Sequence, residues 1–253
     1  MAARICVSIA PVDIQSISTQ AEQAFGLGAD YIEIRFDFLK PEQLQSAIDS
    51  SKDLKNKAVF TLRSKDQGGK FAGSEPDRVK WLRKLAEQKP MLLDVELHTL
   101  QEHDELADFL ESQKTPVLVS WHDFEKTPPN EELADLLSEM RVYSNYVKVV
   151  TTAKSVDDSL RLLEMYETAI GLNPIVRDQF ACNEFHKQRG VTCARVRNVI
   201  VALGPADGPA LLLNTHYDSN PSGPGAGDAG SGVATLLDVA AILRNERLAR
   251  PVI

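Results

Sequence analysis

Apolar and polar positions along residues 1–169 fall into a repeating order: a short β-rich run, a charged amphipathic stretch, then another run. The runs are RICVSIAP, YIEIRFDF, KAVFTLR, MLLDVEL, PVLVSWHDF and YVKVVTTA. Between them lie amphipathic segments such as PDRVKWLRKLAEQ, NEELADLLSEM and SVDDSLRLLEMYETA. Ser155, followed by Asp157 and Asp158, marks the start of the last of these helices. Strict alternation of buried strands with helices predicts a parallel sheet, because parallel neighbours need the long crossover that a helix supplies. Six units of roughly 25 to 30 residues make most of a (β/α)8 TIM barrel. The expected class is therefore α/β, with an incomplete barrel of six βα units.

Past GLNPIV the alternation stops. FACNEFHKQRG reads as a short helix, and RNVIVALG and ALLLNTHYD as two strands joined by the turn-rich PADGP. So short a connection predicts an antiparallel pair. A Gly-rich loop, SNPSGPGAGDAGSG, leads into an apolar helix, VATLLDVAAILRN, and RPVI begins a further strand. The expected division is a partial barrel over residues 1–173 and a partial α/β segment over 174–253.

Composition narrows the partners. A net charge of -8, with no basic run or basic amphipathic helix, argues against nucleic acid and anionic membranes. The N-terminal MAARICVSIAPV has an apolar run too short for a membrane span and no signal-peptide cleavage pattern, so a cytoplasmic location is expected. Cys6, Cys182 and Cys193 lie far apart or in no metal-like spacing, which argues against a disulfide framework.

Chemistry enters with the charged positions inside the strands. In YIEIRFDFL, alternation puts Ile32, Ile34, Phe36 and Phe38 on one face and Glu33, Arg35 and Asp37 on the other. An amphipathic strand with a wet outer face fits this pattern, and so does a strand whose charged face lines a polar barrel interior. Arg63 ends the third run before a Gly68-Gly69 turn, Asp94 and Glu96 alternate along the fourth, and His122 ends the fifth. Lys148 sits within YVKVV, where an ammonium must find a partner or lose its proton. A snorkelling edge-strand lysine would satisfy this position. So would a lysine that attacks a ketone to form an imine, with His122 as acid or base and Arg35 and Arg63 holding a carboxylate.

YIEIRFDFL, FTLRSKDQGGKF, LLDVEL, VSWHDFEKTP and YVKVVTTAKS, in this order and spacing, resemble type I 3-dehydroquinate dehydratase over about residues 1–173. The resemblance implies a cofactor-free lyase of the shikimate pathway acting on a small molecule, 3-dehydroquinate. It makes Lys148 the Schiff-base residue and His122 the proton carrier, with Glu33, Arg35 and Arg63 positioning substrate hydroxyls and carboxylate. Asp37 becomes a supporting partner. Two departures stand out. The residue before the Gly pair, a carboxylate in some relatives, is Gln67, which bears on the orientation of His122. No segment after Ile175 matches the family's last two βα units, so an impaired or inactive enzyme is expected, the alternative being a non-catalytic chimeric chain.

The tail carries a second pattern. His216 and Asp218 are two apart at the end of a predicted strand, and Asp228 follows a Gly/Pro loop just before a helix, where it is either a ligand or an N-cap. The stretch from Leu211 to Ala234 resembles the M28 zinc aminopeptidases, within a similarity spanning about 177–253. That resemblance makes His216 a zinc ligand, Asp228 a bridging carboxylate and Asp218 the group orienting the histidine. Two protein ligands fall short of the three usual for catalytic zinc, so weak zinc binding without peptide hydrolysis is expected. The whole reads as two incomplete enzymes joined head to tail. An unclosed six-strand sheet would also leave edges through which the chain associates with itself.

Overall fold

The computed structural model describes residues 5–169, 175–185, 190–205, 207–215 and 231–253. Two compact units make up the chain, Arg4–Lys154 and Ser155–Ile253. In the first, six strands follow the predicted runs: β1 (Cys6–Ile9), β2 (Tyr31–Arg35), β3 (Ala58–Thr61), β4 (Leu92–Glu96), β5 (Val117–His122) and β6 (Tyr146–Val150). All neighbours pair in parallel, in the spatial order β1-β2-β3-β4-β5-β6. The expected βα alternation and parallel sheet are both present.

Helices α1 (Ile14–Gly26), α2 (Leu44–Ser50), α3 (Glu75–Glu87), α4 (Leu97–Glu102), α5 (Asp104–Ser112) and α6 (Asn130–Tyr143) connect them. Their starts follow local chemistry. Asp13 accepts the Ser16 backbone N–H at 2.8 Å ahead of α1, and Ser74 caps α3, which has Pro76 in its first turn. One core forms where the apolar alternates of the strands, including Ile32, Ile34, Phe60 and Val119, meet helix stripes that contribute Ile17 and Leu82. The other alternates carry the polar groups.

Strand β2 ends earlier than its alternation predicts. The backbone turns into a single 3-10 turn at Phe36–Phe38, so Asp37 is buried, whereas Phe38, expected beside Ile32 and Ile34, is exposed. The turn is fixed by Asp37, whose carboxylate accepts Arg35 Nε and Nη2, both at 2.8 Å, and the Lys70 backbone N–H at 3.0 Å. Phe36 instead packs edge-on against Phe60, with ring centroids 5.1 Å apart.

The second unit opens with α7 (Val156–Ala169), capped as expected by Ser155, whose Oγ accepts the Asp158 N–H at 3.3 Å. The tail differs from its predicted pairing. Ile175–Phe185 (β7) and Gly190–Ile200 (β8) form one long antiparallel ladder, with strand where a short helix was expected at FACNEF. The ladder runs residue against residue over the whole of both strands, so the backbone of FACNEF is satisfied by cross-strand pairing in place of helical bonds. It also makes Cys182 and Cys193 Cα partners, although they are well separated in sequence. RNVIVALG and ALLLN do not pair with each other directly; Val252 bridges to both Leu203 and Leu211, so the strand expected at RPVI lies between them. Helix α8 (Ser231–Leu243) follows the predicted apolar stretch. Among the described residues, no helix is long and apolar enough to cross a membrane.

Candidate active site

Each strand of the six-strand sheet contributes polar side chains at alternate positions. Register aligns Ser8 with Glu33, Thr61 with Asp94, and Ser120 with Lys148. Lys148 Nζ lies 3.5 Å from Glu33 Oε1 and 3.6 Å from Asp94 Oδ2. In a flat sheet β6 would stand four spacings, roughly 19 Å, from β2, well beyond a lysine's reach. The contact therefore requires the sheet to curl, with the polar alternates on its concave side. Of the two accounts of EIRFDF, the strand lining a polar interior is the one realised.

Arg63, just beyond β3, occupies the centre of that face. Its Nη2 donates to Asp94 Oδ2 at 2.6 Å and its Nη1 to Ser120 Oγ at 2.5 Å, with Glu96 Oε1 at 3.4 Å. Ser120 in turn donates to Asp94 Oδ1 at 2.7 Å. Glu96 accepts the Ser64 backbone N–H at 2.9 Å and Arg78 Nη1 at 2.8 Å. Arg78 belongs to α3, and besides Glu96 it holds Glu75, Thr99 Oγ1 and the Leu62 carbonyl. Both guanidiniums are almost wholly buried, so each carboxylate beneath the face has a cation and hydrogen bonds to replace water.

The electrostatics follow from this arrangement. Burial works against ionisation of Glu96, but Arg78 and Arg63 outweigh it and hold the carboxyl below its ordinary pKa. Burial opposes Glu33 too, and Lys148 together with the Thr61 hydroxyl, which donates at 2.8 Å, turns its shift downward. Complete burial raises Asp94 by more than Arg63 and Lys148 lower it. His122, at the end of β5, is pushed down to about 3, first by burial and then by the positive charges of Arg63 and Lys148. It is a neutral imidazole throughout the physiological range.

The structure brings Glu33, Arg63 and Lys148 together through direct contacts and Asp94, and puts His122 two residues beyond Ser120 on the same strand. Arg35 is turned to Asp37 and lies over the Phe38 ring, 5.2 Å from its centroid, while 20% of its side chain stays exposed. Gln67 Oε1 accepts the backbone N–H of His122 at 2.9 Å and so engages its main chain. His216, Asp218 and Asp228 lie outside the described residues. Three contributors were not singled out as site residues. Ser120 was legible, being two positions from His122 on one strand and therefore on the same face. Thr61 was legible in the same way relative to Arg63. Arg78 left no signal, because it reads as an ordinary charge on an amphipathic helix.

Comparison with known proteins gives the chain a family. The 3-dehydroquinate dehydratase of Desulfotalea psychrophila is 30% identical over 168 residues, covering 66% of this chain and 72% of that protein. That of Pyrococcus abyssi is 34% identical over 158 residues, covering 62% and 72%. The crystal structure of type I 3-dehydroquinate dehydratase from Clostridium difficile with covalently modified comenic acid superposes with a TM-score of 0.61 at 26% identity, over 67% of this chain and 70% of that one. Residues 198–253 match a different family, peptidase family M28. The sequence profile of type I 3-dehydroquinase matches residues 5–177, more than half of the chain, and the chain belongs to that family.

Proposed function

We propose that the concave face of the six-strand sheet carries out the Schiff-base dehydration of 3-dehydroquinate to 3-dehydroshikimate, a step of the shikimate pathway. The observation that carries this reading is the placement of Lys148 Nζ, 3.5 Å from Glu33 and 3.6 Å from Asp94, on the strand next to a neutral His122. Lys148, freed of a proton, adds to the ketone, and the carbinolamine loses water to give a protonated imine. That cation acidifies the neighbouring C–H. His122, neutral and able to accept, takes this proton, and the resulting enamine expels the β-hydroxyl as water when the imidazolium returns a proton. A further water then releases the product from Lys148, so the net change is loss of one water.

Glu33 holds Lys148 and is placed for a substrate hydroxyl, while Arg63 and Arg35 supply guanidiniums for the carboxylate and hydroxyls. Arg63 is already committed to Asp94, Glu96 and Ser120, which favours Arg35, the more exposed of the two, as the group that adjusts to substrate. The chemistry runs on the chain's own amine and imidazole, and no cofactor enters it. Six strands supply the face, and we read turnover as reduced while imine formation persists. A cytoplasmic location agrees with this metabolic role.

The M28 match supports at most a zinc ion held by His216 and Asp228 with Asp218 behind the histidine. Two protein ligands would bind it weakly, and no step is routed through it. A chimeric origin for the chain agrees with the two matches at 5–177 and 198–253.

The test is borohydride reduction of the chain in the presence of 3-dehydroquinate, read by intact mass, with Lys148→Ala as the control. An adduct that disappears in Lys148→Ala supports the reading. No adduct in folded protein would overturn it.

A further inference from the structure

The imidazole of His122 lacks the hydrogen-bonded backing that usually orients a proton-transferring histidine. Its Nδ1 is buried and has no hydrogen-bond partner among the described residues. Something else must fix the ring plane. Phe124, two residues on, stacks with the imidazole at 5.8 Å between centroids and 21° between planes, within the range of favourable aromatic pairs. Phe124 as a residue is 56% exposed, so core burial is not what holds it there.

The ring also lies against the turn that follows Arg63. A Cβ added to Gly68 would stand 2.6 Å from Phe124 Cζ and 2.8 Å from Cε2, so the ring lies directly against glycine backbone. Gly68 also has φ +77°, a conformation that disfavours side chains. The same turn is anchored on both sides. Gln67 takes the His122 backbone N–H, the Gly69 N–H donates to the Ser64 carbonyl at 2.7 Å, and a Cβ on Gly69 would meet the Arg63 carbonyl at 2.1 Å. The main chain of His122, the ring of Phe124 and the backbone of Arg63 are thus held by one five-residue turn, Lys65 to Gly69.

We propose that Phe124 is a positioning residue: packed against both His122 and the Gly68 backbone, its ring sets the plane of the imidazole and shields that face from water. The inference rests on the reading of His122 as the proton carrier. Phe124 acts through His122, so its loss should slow the proton steps without weakening substrate capture. The charges that act on His122 are those of Arg63, Lys148, Glu96 and Glu33. None of them changes when Phe124 is replaced, so a shift in titration would report the loss of shielding.

The experiment compares Phe124→Ala, Phe124→Tyr and Gly68→Ala with the parent chain. The His122 imidazole is followed by proton NMR across pH, assigned by its absence in His122→Gln, and kcat and KM are measured with 3-dehydroquinate. In Phe124→Ala the titration should move from about 3 by one unit or more toward the ordinary imidazole value, and kcat should fall about tenfold with KM unchanged. Gly68→Ala, which displaces the ring, should follow Phe124→Ala, and Phe124→Tyr should keep the parent's behaviour. An unchanged titration in both Phe124→Ala and Gly68→Ala would overturn the proposal, as would a rise in KM matching the fall in kcat, which would make Phe124 a substrate contact. The NMR readout needs no turnover. If the parent forms no imine, the dehydratase reading fails while the titration still decides the role of the ring.

Discussion

Lys148 on β6 and Glu33 on β2 are 115 residues apart in sequence and meet with 3.5 Å between Nζ and Oε1. This contact reports the curl of the sheet and the composition of the site at once. It also shows how the lysine inside YVKVV is satisfied: it turns inward to two carboxylates, Glu33 and Asp94.

Removing one of those carboxylates tests what the contact does. In Glu33→Gln the amide still accepts a hydrogen bond, but Lys148 keeps only Asp94 as a charged neighbour. The expected result is a loss in kcat/KM of about ten- to a hundredfold, with the borohydride adduct still forming. Steady-state kinetics beside intact-mass trapping checks this. Loss of the adduct itself would place Glu33 in imine formation, not in positioning.

Arg78 carries a different burden. It is fully buried, and its bonds to Glu96, Thr99 and the Leu62 carbonyl tie α3 to the floor of the site, while Glu75, three residues back, pairs with it within the helix. Arg78→Met keeps much of the volume but leaves Glu96 with Arg63 at 3.4 Å as its remaining cation. Breaking a buried pair from one side costs about 3–5 kcal/mol, and urea unfolding should register a loss in that range. A loss under about 1 kcal/mol would mean that water replaces Arg78 beside Glu96.

How much of this was readable beforehand depends on whether neighbours in sequence or neighbours in space made the decision. The parallel order of β1 to β6 follows from the alternation alone, and Glu33, Arg63, His122 and Lys148 were visible because charges inside buried strands demand an explanation. Asp37 pairs with Arg35 as the alternation implied, but Phe38 was placed on the wrong side, since alternation was carried past Arg35, where the Arg35–Asp37 pair bends the chain into a 3-10 turn. Arg78 was invisible because its pair with Glu75 reads as an ordinary helix-surface pair, while its other partners come from β4, α4 and the residue after β3. The β7–β8 ladder was missed because FACNEF has no local feature that distinguishes a strand from a short helix until its partner is known.

The ends of the sheet carry the self-association expectation forward. β1 and β6 are its outer strands, and among the described residues neither pairs with a further strand. Unpaired backbone donors and acceptors along such edges template pairing with another copy. We expect a sedimentation coefficient that rises with concentration, and a smaller rise in Tyr146→Lys, which puts a charge at the exposed start of β6. An identical concentration dependence in both would remove β6 from the contact, and a monomer at every concentration would remove self-association.

Acid stability separates His122 from the carboxylates around it. Its pKa of about 3 in the folded chain lies below the ordinary 6.5, so as pH falls through 6.5 the unfolded chain takes up a proton that the folded chain refuses. Stability should therefore decline from pH 6.5 downward, by an amount that solvent reduces because the ring is only partly buried. Glu33 and Glu96, both held below 4.5, add to the decline only when pH drops under that value. Asp94 runs the other way: its raised pKa makes the fold lose stability as pH climbs above 3.8. Between pH 6.5 and 4.5, then, the difference between the parent and His122→Gln isolates the histidine, since Asp94 is common to both. Urea midpoints should fall in the parent and less steeply in His122→Gln over that interval. Parallel slopes would mean that His122 titrates in the folded protein much as it does in the unfolded chain, and that burial does not keep the imidazole neutral.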